Sequence, residues 1–410
     1  MKYKIAILGS TGSIGLSTLQ IIDKKKSNFT IEVLIAYGNY KKICAQIIKY
    51  NPKIFIIINQ DIYFKVKKKF RNRKIKIYNN YNFLNLNKKI IDVTISAIPG
   101  LAGLEPTIVF TKLSKKILLA NKESIICGWE IIKKISKQKK TKIIPLDSEH
   151  FSILQLTQNY NNSEIEKIYI TASGGPFLNL NKKKFKNIKP KDAIRHPKWN
   201  MGKKISIDSA TLMNKIFELM EALKIFPYDF EKYEIIIHPQ SLVHAIVKFK
   251  NGLTKFLYHD TNMTIPISNA IFNNKIDYSK IVNNKSYYKK EFINLKFINV
   301  DSNRFPAFNL IKKKYFTKSA PIIINGVNEI LVDQFLRSKI TFNSIYKYLK
   351  LILKHKKFKY YANQTCNNLK KIYIIDRWSR NLALETIKKK NLNDKIYIYN
   401  HIFFIQSRSL

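Results

Sequence analysis

The sequence predicts an α/β protein in three parts: an N-terminal parallel-sheet domain, a central α+β domain and a C-terminal helical domain. Three observations lead there. From the N-terminus to about residue 146, short and almost wholly apolar strand patterns alternate with helical ones, as in a parallel sheet covered on both faces. At residue 147 the character changes: the stretch to 275 holds most of the acid pairs, five of the seven histidines and the adjacent Gly174-Gly175. From about 304 the apolar spacing is mostly helical.

The elements follow in order. Residues 3–8 (Tyr-Lys-Ile-Ala-Ile-Leu) read as a buried strand, then comes a glycine-rich turn and an apolar helix pattern from Ser13 to Lys24. Thr30–Ala36 is a second strand, Lys41–Lys49 a helix and Ile54–Ile58 a third strand. Ile75–Tyr78, Val93–Ala97, Ile117–Leu119 and Lys142–Leu146 complete the strand series, the last ending at Asp147. Residues 276–303, rich in Asn, Lys, Ser and Tyr, read as a connector. The stretch after Leu392 is ambiguous and receives no element; it reads as a short tail extension. The expected domains are therefore 1–146, 147–275 and 304–410.

Composition bounds the function. A chain of 410 residues that is 45% hydrophobic can bury a core, which excludes disorder along its whole length. No apolar run reaches the roughly 18 residues of a membrane span, so no membrane partner is expected. The first strand begins within three residues of the start, which leaves no room for a signal or transit peptide. Cys44, Cys127 and Cys366 lie far apart without a CxxC, which suits a reducing cytoplasm. The formal charge of +47 invites a nucleic-acid reading. Yet lysine is scattered from residue 2 to residue 395, together with an excess of Ile, Asn, Tyr and Phe. That is the mark of drift towards A/T-rich codons, so no specific nucleic-acid partner is expected. Drift makes the scarce residues informative: three of the twelve glycines fall in the first fifteen positions, and the sparse acids cluster at 147–149 and 218–221.

Gly9-Ser-Thr-Gly12-Ser-Ile-Gly15 follows a strand and opens a helix, a GxxGxxG variant of the Rossmann-like dinucleotide fingerprint. Glycines let backbone approach a pyrophosphate, the helix N-terminus offers free N–H groups, and Thr11 and Ser13 add hydroxyls. The second strand ends Ala36-Tyr37-Gly38-Asn39 without the acid that an NAD enzyme places there, and Lys41 and Lys42 follow. This favours the 2′-phosphate of NADP.

Asp147-Ser148-Glu149-His150 closes a strand pattern. In extended backbone positions 147 and 149 project to the same side, and two converging carboxylates call for a cation between them; oxygen ligands suit Mg2+ or Mn2+. Asp208 to Ala222 reads as one helix, with Thr211, Asn214, Lys215 and Glu218 on one face and Met213, Phe217 and Met220 on the other. Such a face suits a phosphorylated, metal-bound ligand. Thr171-Ala-Ser173-Gly174-Gly175 offers a hydroxyl and N–H groups at a strand end. Arg195 to Lys204, with His196, Trp199 and the hinge-like Gly202, has the makings of a lid over an anion.

Taken together, these segments resemble the 1-deoxy-D-xylulose 5-phosphate reductoisomerase family of isoprenoid biosynthesis. The matching motifs are GSTGSIG at 9–15, LLANKES at 118–124, LDSEH at 146–150, SGGPF at 173–177, RHPKWNMGKKISIDSAT at 195–211, NK..E at 214–218 and HPQS at 238–241, with Asn325-Gly-Val-Asn328-Glu329 as a weaker extension. The resemblance implies an NADPH-dependent reductoisomerase that turns the ketose phosphate into 2-C-methyl-D-erythritol 4-phosphate. It also implies a homodimer. It places NADPH on Thr11, Gly12, Ser13, Ile14, Gly38, Asn39, Asn121, Glu123 and Gly202, and one Mg2+ or Mn2+ on Asp147, Glu149 and Glu218. Substrate would be bound by Lys122, Ser148, Glu149, Ser173, His196, Trp199, Ser209, Asn214, Lys215 and Glu218, the chemistry resting on Lys122, Glu149, His196 and Glu218. Residues 196–204 would form the flap, with Trp199 covering the substrate.

There are departures. Where the family often shows Ala-Gly-Lys-Asn, this chain has Ala36-Tyr37-Gly38-Asn39, so the expected lysine is displaced and Lys41 or Lys42 becomes the substitute. Lys198 stands where Asn is usual, and Ile216 where Gly commonly follows Asn-Lys. The rival reading is an NADP-dependent reductase of the semialdehyde dehydrogenase type, which needs a nucleophilic cysteine. Cys127 is the one cysteine near the end of the first domain, and no His motif accompanies it as a base.

Overall fold

The computed structural model describes residues 2–82, 84, 90–199, 201–281 and 294–406, with side chains as far as residue 390. Position 200 of the expected flap, 282–293 of the expected connector and 407–410 of the tail lie outside the described residues. The chain divides into two compact units. One comprises Met1–Gly174, Pro197–Gly202 and Asn214–Val300; the other comprises Gly175–His196, Lys203–Met213 and Asp301–Leu410.

In the first unit, β1 (Tyr3–Leu8), β2 (Phe29–Ala36), β3 (Ile54–Ile57), β4 (Lys76–Tyr78), β5 (Ile91–Ser96), β6 (Ser114–Leu119) and β7 (Lys142–Pro145) build one sheet, ordered β4-β3-β2-β1-β5-β6-β7. Every neighbouring pair is parallel. The near-continuous apolar strands are explained by burial on both faces: Ile5 to Leu8 of β1 are fully buried. The crossovers are α1 (Ser13–Lys24), α2 (Tyr40–Tyr50), α3 (Gln60–Lys69), α4 (Leu104–Leu113) and α5 (Lys122–Lys139). Asparagines set three of their starts: Asn39, Asn59 and Asn121 accept from the backbone N–H groups of Lys42, Ile62 and Ser124. Because β1 lies between β2 and β5, the strand order reverses there, and a crevice opens beyond the ends of β1 and β5.

The same unit carries α6 (Ser148–Thr157), β8 (Ile165–Ala172), β9 (Tyr233–Ile237), β10 (Val243–Phe249), β11 (Thr254–Tyr258), α10 (Thr264–Phe272) and β12 (Ile298–Asn299). Its five strands form a mixed sheet ordered β11-β10-β8-β9-β12, parallel only between β8 and β9. Phe272 of α10 meets Tyr3 and Phe29 edge-on, so a late helix helps cover the first sheet. Lys116 of β6 caps that helix, donating to Ala270 O at 2.7 Å, Ile271 O at 2.9 Å and Asn273 Oδ1 at 3.0 Å.

The second unit is largely helical. It holds α7 (Pro190–Ala193), α8 (Lys203–Ala210), α11 (Ala320–Leu336), α12 (Phe342–Leu353), α13 (Phe358–Ala362) and α14 (Leu369–Gln406). The last helix runs on past Leu392, through the stretch whose sequence pattern is ambiguous. α9 (Met213–Ile225) belongs, from Asn214 onward, to the first unit.

Two local expectations are corrected. Asp147 and Glu149 do not lie on extended backbone: β7 stops at Pro145, Asp147 caps α6 by accepting from Glu149 N, and Glu149 sits in the first helical turn. Asp208 to Ala222 is not one helix either. Leu212 has φ +63°, which ends α8 and restarts the chain as α9. Thr211 therefore leaves the face shared by Asn214, Lys215 and Glu218 and bonds back to Ile207 O and Asp208 O.

Candidate active site

The glycine turn sits at the switch point of the parallel sheet. Gly9 has φ +88°, and a Cβ there would lie 2.7 Å from Ala97 O at the end of β5. A Cβ on Gly15 would lie 2.4 Å from Gly9 O, so α1 can approach the strand end only with glycine. Gly12 caps α1 without any side-chain hydrogen bond, which leaves the helix N-terminus to an anion, and Thr11, Ser13 and Ile14 surround it. Buried Gln46 of α2 fixes the turn, accepting from Ser10 Oγ at 2.7 Å and donating to Ser10 O at 2.9 Å. Across the crevice Asn121 donates to Ile98 O at 2.7 Å and to Glu123 Oε2 at 2.9 Å, tying the loop after β6 to the loop after β5. This cradle fits a dinucleotide.

The carboxylates converge in the same unit. Ligand oxygens of Asp147, Glu149 and Glu218 lie within 4.8 Å of one another. Asp147 and Glu149 come from the start of α6, and Glu218 comes from α9. Two lysines enter the cluster. Lys122, at the first position of α5, pairs with Asp147, with Glu218 Oε1 at 3.2 Å and with Glu221 Oε2 at 3.3 Å. Lys215 pairs with Glu149 and Glu218. Asn214 donates to Glu218, and Ser148 Oγ donates to Glu149 Oε2 at 2.5 Å. His150, fully buried, bonds through Nε2 to Glu218 O at 2.8 Å and holds Nδ1 3.4 Å from Asp147 Oδ1.

The electrostatics follow from burial and charge count. Four buried or nearly buried carboxylates face two lysine ammonium groups, a shortfall that one divalent cation would balance. Burial, then repulsion from Asp147 and Glu149, pushes Glu218 up to about 6. Burial lifts Glu221 to about 7 against the pull of Lys122. Burial also raises Glu149, with Lys215 opposing and Asp147 adding to the rise. Burial would raise Asp147 too, but Lys122, His150 and Lys215 hold it far below the usual carboxylate range. Burial lowers both lysines, and the surrounding carboxylates outweigh it and keep them charged. Three convergent carboxylates and no sulfur form a donor set for a hard ion such as Mg2+ or Mn2+.

The predicted residues thus fall into groups. The first unit brings together Lys122, Asp147, Ser148, Glu149, Asn214, Lys215 and Glu218, and separately gathers Thr11 to Ile14 about the crevice. Gly38 and Asn39 lie between β2 and α2, Ser173 follows β8, and Gly202 is exposed, all in that unit. Trp199 is there as well, its ring edge-on to His244 at 6.0 Å. His196 and Ser209 belong to the second unit. Glu221 belongs to the acid cluster at 218–221 noted above, yet its role, that of His150 as a partner of the acids and that of His244 are not foreseen from sequence. Glu221 stands three residues after Glu218, and His150 three after Asp147. That spacing becomes informative once both segments are helical.

A dinucleotide cradle and a cation cradle within one unit place the chain among metal-assisted, dinucleotide-dependent oxidoreductases. The family model for 1-deoxy-D-xylulose 5-phosphate reductoisomerase matches residues 5–128, and its two C-terminal domain models match 143–226 and 260–382. A protein of that name from Pelagibacter ubique (strain HTCC1062) is 47% identical over 374 residues, covering 90% of this chain and 95% of that protein. The chain belongs to the 1-deoxy-D-xylulose 5-phosphate reductoisomerase family. A further relative, from the Wolbachia of Brugia malayi, is 38% identical over 95% of this chain and 99% of its own length. The fold matches a crystal structure of DOX-P reductoisomerase in complex with NADPH, fosmidomycin and magnesium, with TM-score 0.87 and 32% identity over 94% of this chain and 98% of that one. It also matches the Zymomonas mobilis enzyme in complex with NADPH, with TM-score 0.84 and 30% identity over 94% and 99%.

Proposed function

We propose that the chain converts 1-deoxy-D-xylulose 5-phosphate into 2-C-methyl-D-erythritol 4-phosphate, on the methylerythritol phosphate route to isoprenoids. The reaction is a retro-aldol/aldol rearrangement followed by hydride transfer. The observation that carries this reading is the buried set of Asp147, Glu149 and Glu218, short of positive charge and held in the same unit as the glycine turn. A bound Mg2+ or Mn2+ stabilises negative charge on substrate oxygens, and NADPH supplies the hydride.

The chain's own residues do the rest. Asp147, Glu149 and Glu218 hold the cation. Lys122, anchored by three carboxylates, presents a fixed positive charge and a proton to a substrate oxygen. Lys215 exchanges its present carboxylate partners for the substrate phosphate, with Ser173, Ser209 and Asn214 also assigned to that group. The phosphate is remote from the reacting carbons, so binding it orients them. Ser148 positions Glu149, His196 contacts substrate, and residues 196–204 with Trp199 close over it to exclude water. The glycine turn with Asn39, Asn121, Glu123 and Gly202 holds the cofactor. Residues 1–146 are the cofactor domain, 147–275 the catalytic one, 276–303 the connector and 304–410 the helical one.

The direct test mixes purified protein, NADPH and the pentulose phosphate. NADPH absorbance should fall only when Mg2+ or Mn2+ is present. No oxidation with the metal supplied, or undiminished oxidation in excess EDTA, would overturn the reading.

A homodimer and a cytoplasmic location belong to the same proposal. No helix among the described residues is long and apolar enough to cross a membrane. Scattered cysteines suit a reducing compartment. β11 is an edge strand of the mixed sheet, with Phe256 within it and Leu253 just before it 48% and 55% exposed, a surface suited to self-pairing. Sedimentation at the monomer mass under assay conditions would count against the dimer.

A further inference from the structure

β2 ends at Ala36, and Tyr37, Gly38 and Asn39 lead directly into α2. In a parallel dinucleotide-binding sheet this strand end meets the adenosine ribose, and an acid there accepts from the 2′-hydroxyl of NAD. Residues 33 to 49 contain no acid. Nor does position 38 have room for a long basic side chain. A Cβ on Gly38 would lie 3.0 Å from Asn59 Cβ and 3.5 Å from its Cγ. Asn59 cannot yield freely, because its amide oxygen caps α3 by accepting from Ile62 N at 3.0 Å.

The positive charge enters one turn later. Lys42 Nζ donates to Thr11 O at 3.3 Å, within the glycine turn itself. The helix that carries it is tied to that turn by the two Gln46–Ser10 hydrogen bonds, and Asn39 Oδ1 accepts from Lys42 N at 3.1 Å. The lysine is therefore exposed, yet its stem rises from a fixed point and its ammonium rests on a neutral carbonyl that a phosphate can outcompete.

We propose that Lys42 is the residue that selects NADPH over NADH, by pairing with the 2′-phosphate. This deepens the NADPH reading given above and rests on it. NADH offers a hydroxyl where NADPH offers a dianion, so only NADPH gains from the ammonium. Among the described residues Lys41, the neighbouring exposed lysine, makes no hydrogen bond to the turn comparable to that of Lys42, and it contributes only to the general field.

The experiment measures equilibrium binding of NADPH and NADH by calorimetry to the full chain and to Lys42→Ala, Lys42→Arg and Lys41→Ala. Lys42→Ala should weaken NADPH about tenfold or more and leave NADH within about twofold. Lys42→Arg should retain most of the preference, and Lys41→Ala nearly all of it. The dependence of NADPH affinity on salt should flatten in Lys42→Ala. Equal weakening of both dinucleotides would mean that Lys42 only shapes the turn, and unchanged NADPH affinity would mean that it does not reach the phosphate; either result overturns the proposal. Wild-type protein that binds neither dinucleotide would overturn the cofactor reading itself, and this inference with it.

Discussion

At the scale of single residues, charge balance decides what the acid cluster can do. Glu218 touches both lysines and Asn214, and through Lys122 its carboxylate ties α9 to α5. Glu218→Gln keeps the shape and removes the charge. It should lower kcat at least about a hundredfold and raise the Mg2+ concentration needed for half-maximal rate. A variant with near-normal kinetics at low Mg2+ would remove Glu218 from the metal site. Lys215→Ala should instead raise KM for the phosphorylated substrate about ten- to a hundredfold, the worth of a hydrogen bond to a charged group. A lower Tm with unchanged KM would show that Lys215 only neutralises the acids. These residues were legible in the sequence because drift has made acids scarce, so Asp147, Glu149 and Glu218 stood out. Glu221 stands in the same acid cluster, but its role and that of His150 were not legible, since the pairing of a second buried acid with a lysine is a product of packing that no local pattern records.

At the scale of elements, the glycine turn is where sequence and backbone agree most closely. Gly9 is in the left-handed region and faces Ala97 O across the switch point. Gly9→Ala should cost roughly 1–2 kcal/mol from conformation alone, with a steric cost added, and should weaken NADPH and NADH alike. Denaturation and dinucleotide titration of the variant check both effects; wild-type values in both would mean that the turn has other freedom. The α8–α9 corner shows the opposite case. Leu212 adopts φ +63° with neither Gly nor Pro to announce it, and the apolar spacing of Met213, Phe217 and Met220 continues smoothly. Leu212 and Met213 are buried to within 2%, so tertiary packing rather than local preference holds the bend. Asp147 did carry a local signal, a capping residue followed by an acid in the first turn, and a strand reading overrode it.

At the scale of the whole molecule, the parallel sheet and the α/β class followed from the alternation of buried strands and helices, whereas the strand order is seen only in the fold. The chain's return in α10 to cover the first sheet did not, because it depends on contacts some 240 residues apart, such as Phe29 with Phe272. Acid stability is also a property of the assembled fold. His244 and His259 stack at 3.8 Å in the mixed-sheet region, each almost wholly buried. Burial lowers His244 to about 4, and burial together with its neighbour lowers His259 to about 3, from an ordinary 6.5. At these two histidines the unfolded chain therefore binds more protons than the folded one below pH 6.5, so their contribution to stability falls as pH drops from there towards 4, while the raised Glu218 and Glu221 carboxyls contribute the opposite slope. His244 alone accounts for roughly 3 kcal/mol of that loss. Denaturant unfolding of wild type and His259→Phe at a series of pH values should show the variant losing less stability between pH 6.5 and 4; the same pH dependence in both would assign the effect to other groups. The proposed chemistry stands on three carboxylates sharing one ion. Mn2+ titration followed by electron paramagnetic resonance tests this most directly. One ion should bind per wild-type chain, and binding should weaken at least about tenfold in folded Asp147→Asn and Glu218→Gln. Tight binding that survives both substitutions would place the metal elsewhere and contradict the account.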